Sequence, residues 1–162
     1  MEKKSFSLSY LEFDSADELS APDRELLECA RDAVGSAYAP YSHYCVGAAV
    51  RMGNGRICTG SNQENMAFPS GLCAERVALY AAASTYPGVP VEAIAITARS
   101  EQFLVDKPVP PCGSCRQTMI EYEMFSRQKI RIILMGEEGK ALVVEGIETL
   151  LPLSFREDGL KK

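Results

Sequence analysis

The sequence predicts an α/β fold: a three-layer α/β/α sandwich around a mixed central sheet of about five strands. Three observations predict it. Apolar residues recur at helical spacing in three segments, short apolar runs fall between them, and glycine or proline clusters separate the two kinds.

The elements follow in chain order. Phe6, Leu8 and Tyr10 alternate and would suit an edge strand in an N-terminal extension of about twenty residues. Ser20 followed by Asp23, with Pro22 in the first turn, marks a helix start. Leu26, Leu27, Ala30, Ala33, Val34 and Ala37 carry that helix to about Tyr38, and Pro40 breaks it. The runs YCVGAAVRM (44–52) and RICTGS (56–61) flank GNG (53–55) and read as a hairpin. A loop from Asn62 to Gly71 leads into a second helix, 72 to about 84. VEAIAITA (91–98) is almost continuously apolar, as in a strand covered on both faces. Pro108, Pro110 and Pro111 make a loop before a third helix, about 113–125. IRIILM (130–135) and ALVVEG (141–146) are strands joined by GEEGK, and a short helix near Ile147 to Leu150 precedes LLPLSF. No repeat, low-complexity tract or linker interrupts this series, so the expectation is a single domain over residues 1–162.

Composition narrows the function. Hydrophobic residues are 46% and charged residues 24%, ordinary values for a soluble globular chain. No apolar run approaches the roughly 20 residues needed to span a bilayer, and MEKKSFSLSY lacks the apolar stretch of a secretory signal. A cytoplasmic location and no membrane partner are expected. The net charge of −5, with only RQKIR (127–131) as a basic cluster, argues against nucleic acid and for a small-molecule partner. In a reducing compartment the six cysteines need not pair; Cys29, Cys45 and Cys58 read as small core hydrophobes. His43, the single histidine, reads as a surface or hydrogen-bonded residue.

Cys73, Cys112 and Cys115 keep different company. GLCAERVALY (71–80) and PPCGSCRQTM (110–119) each open a helix with cysteine, and together they offer three thiolates to one metal. A structural zinc site is closed by four protein ligands, whereas three leave a position for water. Three thiolates make the ion a weak Lewis acid, but each helix start adds about half a positive charge. Arg76, one turn beyond Cys73, could hydrogen-bond the sulfurs and withdraw more charge. Glu75 could then act on the water rather than the metal. Two other readings stand at this point. C-x-x-C at a helix start also makes a redox pair, which leaves Cys73, Glu75 and Arg76 without a role. A zinc-stabilised binding module without turnover leaves Glu75 idle.

The paired pattern C-x-E … P-C-x-x-C resembles the zinc deaminases, in which Glu is the general acid and base. Further segments are similar to the cytidine deaminase family: YSHYCVGAAV, GSNQEN, CAER, PCGSCRQ and LLPLSF, in family order from about residue 38 to 155. Cysteine at position 73 makes the homotetrameric, three-cysteine branch the nearer match. The resemblance implies one zinc per chain on Cys73, Cys112 and Cys115, and Glu75 as proton shuttle. It also implies that Asn62 and Glu64 bind the ribose hydroxyls, that Ala74 backbone groups contact the pyrimidine edge, and that cytidine and 2′-deoxycytidine are hydrolysed to the uridine forms in pyrimidine salvage. Tyr44 stands where the family has a base-stacking Phe, and Phe68 where many members have Tyr. Phe155 is the candidate aromatic for a neighbouring subunit's site, with a core anchor as the plainer alternative. Related deaminases acting on blasticidin S or on a nucleotide are the nearest rivals within this chemistry.

Overall fold

The computed structural model describes residues 1–160. Its described elements are β1 (Leu11–Phe13), α1 (Ala21–Val34), β2 (Tyr44–Met52), β3 (Ile57–Ser61), α2 (Ala74–Thr85), β4 (Val91–Ser100), α3 (Gly113–Ser126), β5 (Arg131–Met135) and β6 (Ala141–Glu145). A turn of 3₁₀ helix follows at Ile147–Thr149. The six strands form one mixed sheet in the order β1-β6-β5-β4-β2-β3, with β4 and β5 parallel and the other neighbours antiparallel.

Strand alternation sorts the side chains between two cores. Ala48, Val50, Met52, Ile94, Ile96, Ile132 and Leu134 face α2 and α3, packing with Ala78, Leu79, Ala82, Met119 and Ile120. Ala49, Ala93, Ala95, Ile133 and Met135 face α1, packing with Leu26, Leu27 and Ala30. β4 is thus buried on both faces from Ala93 to Ala98, as its apolar run predicts. The α/β/α sandwich with a mixed sheet is the architecture expected from the sequence, with one strand more.

That extra strand lies elsewhere than the alternation at Phe6, Leu8 and Tyr10 suggests. Those side chains are exposed, and the edge strand is Leu11–Phe13, paired with Ala141–Val143. Glu12 on this strand pairs with Lys140, fixing register by charge where little side chain is buried.

The first helix ends at Val34, short of Tyr38, with Gly35 as its C-cap. Competing backbone bonds explain the difference. Tyr38 N–H donates to the Asn62 carbonyl, and Glu64 N–H donates to the Tyr38 carbonyl, so Tyr38 belongs to a short parallel bridge. Ser20 caps the helix as expected, its hydroxyl accepting from Asp23 N–H. The Asp23 side chain is buried and also meets Arg131 of β5.

Cys29 and Cys58 pack at the margins of the two cores, and Cys45 is likewise half-buried, so all three are more exposed than core hydrophobes. Burial still pushes the Cys29 and Cys58 thiols up, which keeps them protonated and inert.

Candidate active site

α2 and α3 deliver the three thiols from their first turns. Cys73 is the N-cap of α2 and Cys112 the N-cap of α3, and neither uses its side chain as a cap. Cys115 lies one turn into α3 and is fully buried. Both helices begin where the loops from β3 and β4 leave the same end of the sheet, so their positive ends converge. β3 seats α2 closely: a Cβ on Gly60 would lie 2.4 Å from the Ala78 nitrogen.

Cys73 and Cys112 Sγ are 3.8 Å apart, Cys112 and Cys115 Sγ 3.5 Å, and all three lie within 4.8 Å of one another. Thiolates on a tetrahedral zinc at about 2.3 Å would sit about 3.8 Å apart, so the trio fits that ion. Its electrostatics point the same way. Hydrogen bonding from Cys115, then Arg76, lowers the Cys73 thiol to about 5 against burial. The Cys115 thiol is pushed far up, by its hydrogen bond to Cys73, by burial and by the Glu75 carboxylate. Alone, the cluster favours one thiolate. A divalent cation relieves that repulsion and lets all three ionise.

Arg76 Nη2 lies 3.8 Å from Cys73 Sγ, as its spacing predicts. Its Nε is the one buried side-chain nitrogen or oxygen among the described residues with no hydrogen-bond partner. Glu75 is only 4% exposed, and burial, reinforced by the Cys73 charge, raises its pKa. A carboxyl held above its ordinary range is a better proton acceptor, and it can return the proton it takes.

Glu75, Cys73 and Cys112 line a cavity of about 570 Å³ together with Tyr44, Asn62, Glu64 and Phe68. Val46 N–H donates to Asn62 Oδ1 at 2.8 Å, and Asn62 Nδ2 donates to the Tyr44 carbonyl at 2.9 Å. This fixes the amide and leaves one Nδ2 hydrogen for a ligand. Glu64 Oε2 accepts from the N–H groups of Tyr41 and Ser42 at 2.9 and 3.3 Å. The Ser42 side chain and these amides hold its carboxyl below its usual value, an ionised acceptor at the rim.

Four other named residues are placed less directly. Ala74 begins α2, fully buried. Phe68 packs edge-on against Tyr41 at 5.8 Å between ring centres. Phe155 is 71% exposed, which rules out the core anchor, and its backbone pairs with the Gln117 side-chain amide on α3. His43 lies outside the thiol cluster, its Nδ1 3.3 Å from the Glu101 carboxylate. Sequence reasoning assigned no role to Tyr41 or Ser42; Tyr41 acts on Glu64 through its backbone N–H, which leaves no mark in residue type, and Ser42 through both its N–H and its side chain.

The comparisons with known proteins agree with this geometry. Residues 20–129 match the family model of the cytidine and deoxycytidylate deaminase zinc-binding region. A cytidine deaminase of Halalkalibacterium halodurans is 44% identical over 100 residues, 61% of this chain and 71% of that one. Another, from Sporosarcina psychrophila, is 36% identical over 137 residues, 84% of this chain and 93% of its own. The solved structure of cytidine deaminase from Burkholderia pseudomallei superposes with a TM-score of 0.70 at 35% identity, covering 85% of this chain and all of that one. The family match spans both cysteine segments that the fold brings together, and the chain belongs to the cytidine and deoxycytidylate deaminase zinc-binding family.

Proposed function

We propose that this protein hydrolyses cytidine and 2′-deoxycytidine to uridine and 2′-deoxyuridine plus ammonia, a step of pyrimidine salvage. The observation that carries the reading is the buried Glu75 next to a cluster of three thiols, two of which line one cavity with it, together with the Asn62 amide and the Glu64 carboxylate. Cys73, Cys112 and Cys115 hold one zinc per chain, which supplies a water acidified toward neutral pH. Glu75 takes one proton from the water and delivers it to N3 of the pyrimidine as the water oxygen bonds to C4. It then takes the second proton from that new hydroxyl and passes it to the amino group, so that the C4–N bond breaks, ammonia leaves and C4 keeps its oxygen as a carbonyl. Backbone groups of Ala74 meet the pyrimidine edge, and Tyr44 is the platform on which the base lies.

Asn62 and Glu64 hold the ribose hydroxyls, the free amide hydrogen donating and the ionised carboxylate accepting. The negative charge on Glu64 disfavours a phosphorylated sugar. Free nucleosides are therefore the substrates, ahead of nucleotides.

The working assembly is a homotetramer in which the exposed Phe155 reaches a neighbour's site. One domain carries the activity, and β1 ties the N-terminal extension into the same sheet. The cytoplasm suits it, because ligand thiols must stay reduced. Among the described residues no helix is long and apolar enough to cross a membrane.

The test follows the loss of cytidine absorbance together with zinc per chain, for wild type and Glu75→Gln. The expected result is one zinc in both proteins and a kcat lower by about 10²–10⁴-fold in the variant. An active Glu75→Gln enzyme would remove Glu75 from the reaction. Turnover of cytidine monophosphate or blasticidin S without turnover of cytidine would move the reading to another deaminase.

A further inference from the structure

Tyr44 lines the cavity, and something must hold its ring in place. Phe103 is stacked against it, its ring centre 6.1 Å from that of Tyr44 and its plane inclined by 25°. Phe103 is 57% exposed and does not line the cavity. An exposed phenylalanine gains little from burial, so its placement needs another reason.

The loop that carries Phe103 is fastened on both sides of it. Ahead of it, Glu101 N–H donates to the His43 carbonyl at 3.3 Å, and the Glu101 carboxylate meets His43 Nδ1. His43 itself sits at φ 52°, a left-handed conformation unusual for a residue other than glycine. It immediately precedes Tyr44, so the tie acts next to the ring it supports. Beyond Phe103, Val105 is buried, and its carbonyl accepts from Glu137 N–H at 2.7 Å. The turn between β5 and β6 is shaped to receive this segment. A Cβ at Gly136 would lie 2.2 Å from the Val105 carbonyl oxygen, and one at Gly139, at φ 88°, 2.6 Å from the Asp106 carbonyl oxygen. The Phe103 ring is thus carried on a short span pinned to β2 on one side and to the β5–β6 turn on the other.

We propose that Phe103 is a positioning residue for substrate binding: it braces Tyr44 and presets that ring as the platform for the pyrimidine. A platform fixed in advance spares the ligand the cost of ordering it, so the brace acts on affinity and leaves the proton chemistry of Glu75 alone. The inference rests on the proposed base-stacking role of Tyr44. An offset aromatic pair has about the strength needed to change affinity several-fold.

The experiment is a double-mutant cycle on zinc-loaded enzyme: Phe103→Ala, Tyr44→Ala and the pair, with Phe103→Tyr as the conservative control. KM and kcat for cytidine, zinc content and thermal midpoint are measured for each. Phe103→Ala should raise KM by about three- to tenfold with kcat within twofold. Phe103→Tyr, which keeps a ring, should restore the wild-type KM. In the Tyr44→Ala background the same Phe103→Ala change should add nothing. An unchanged KM in Phe103→Ala, or an equal loss with and without Tyr44, overturns the brace. If Tyr44→Ala leaves KM as it is, the platform itself is wrong and the brace fails with it. If Tyr44→Ala raises KM while Phe103→Ala does not, the brace alone is wrong.

Discussion

Arg76 is held within reach of a sulfur that a metal must share. Its guanidinium donates toward Cys73, and that contact, with the thiolate's charge, is what raises the arginine's own pKa. Withdrawing charge from a thiolate makes the ion it binds a stronger Lewis acid, while the ion itself is kept by three sulfurs. Arg76→Ala should therefore lower kcat/KM by about tenfold to a hundredfold while zinc per chain stays near one. Metal analysis beside steady-state kinetics checks this, and full activity at full zinc would show that charge compensation is idle here. Arg76 was legible because a charge one turn after a cysteine has few other reasons to face it. Asn62 and Glu64 were legible as a polar pair, but not the backbone bonds that fix them. Those bonds come from Tyr41, Ser42, Tyr44 and Val46, where any residue type supplies the same N–H or C=O. Phe103 could not be read at all, since its partner lies far away in the chain and its own exposure hides it in a loop.

Among elements, the distances of α1 and α2 from the sheet are set by two glycines. A Cβ at Gly47 would come within 2.0 Å of the Ala30 carbonyl oxygen on α1, and one at Gly60 within 2.8 Å of the Ala74 carbonyl oxygen on α2. Both substitutions overpack a seam lined by backbone, which cannot step aside as a side chain does, so each should cost at least about 1–3 kcal/mol. Their effects on the site should differ. Gly60→Ala displaces the helix that opens with Cys73 and Glu75, and should cut zinc retention against a chelator as well as kcat. Gly47→Ala displaces α1, on the far face of the sheet, and should lower the thermal midpoint with zinc retention near wild type. Equal zinc loss in both would mean that the site responds to overall stability and not to the seat of α2. Element types were legible from period and element ends were not: apolar spacing said which face of α1 is buried, whereas its end was decided by Tyr38 pairing with the loop at Asn62 and Glu64. The edge strand slipped by a few residues for a similar reason. Exposed alternation at Phe6, Leu8 and Tyr10 gives no core to face, and the ladder formed where β6 offered a partner.

At the scale of the whole molecule, one buried carboxylate joins elements that the chain separates by 108 residues. Asp23, in the first turn of α1, accepts from Arg131 of β5 at 2.8, 3.0 and 3.1 Å, and Arg51 of β2 stands 3.9 Å away. No motif announces such a pair, because Asp23 also fits an ordinary helix start, and the sequence supports that reading equally well. Burial alone would raise the Asp23 pKa; hydrogen bonds from Arg131 and Ser20, with the charges of Arg131 and Arg51, outweigh it and hold it below its ordinary 3.8. The folded state therefore binds this proton less tightly than the unfolded chain. The stability it contributes is present in full above about pH 4 and is lost as pH falls through the lowered value. Arg131→Met should cost about 3 kcal/mol near neutrality, since it leaves a buried charge with Ser20 and the longer contact to Arg51. For a domain of this size each kcal/mol lowers the thermal midpoint by about 2–4 °C. The doubly substituted Asp23→Leu, Arg131→Met protein should recover most of that loss, because no charge is left behind. Denaturant titrations of wild type and Arg131→Met from pH 7 down to pH 3 test the assignment. Zinc release on acidification weakens both proteins and cancels in their difference. The gap between them should close as Asp23 protonates, and a gap that stays constant to pH 3 would mean that Arg131 stabilises the sheet through something other than this carboxylate.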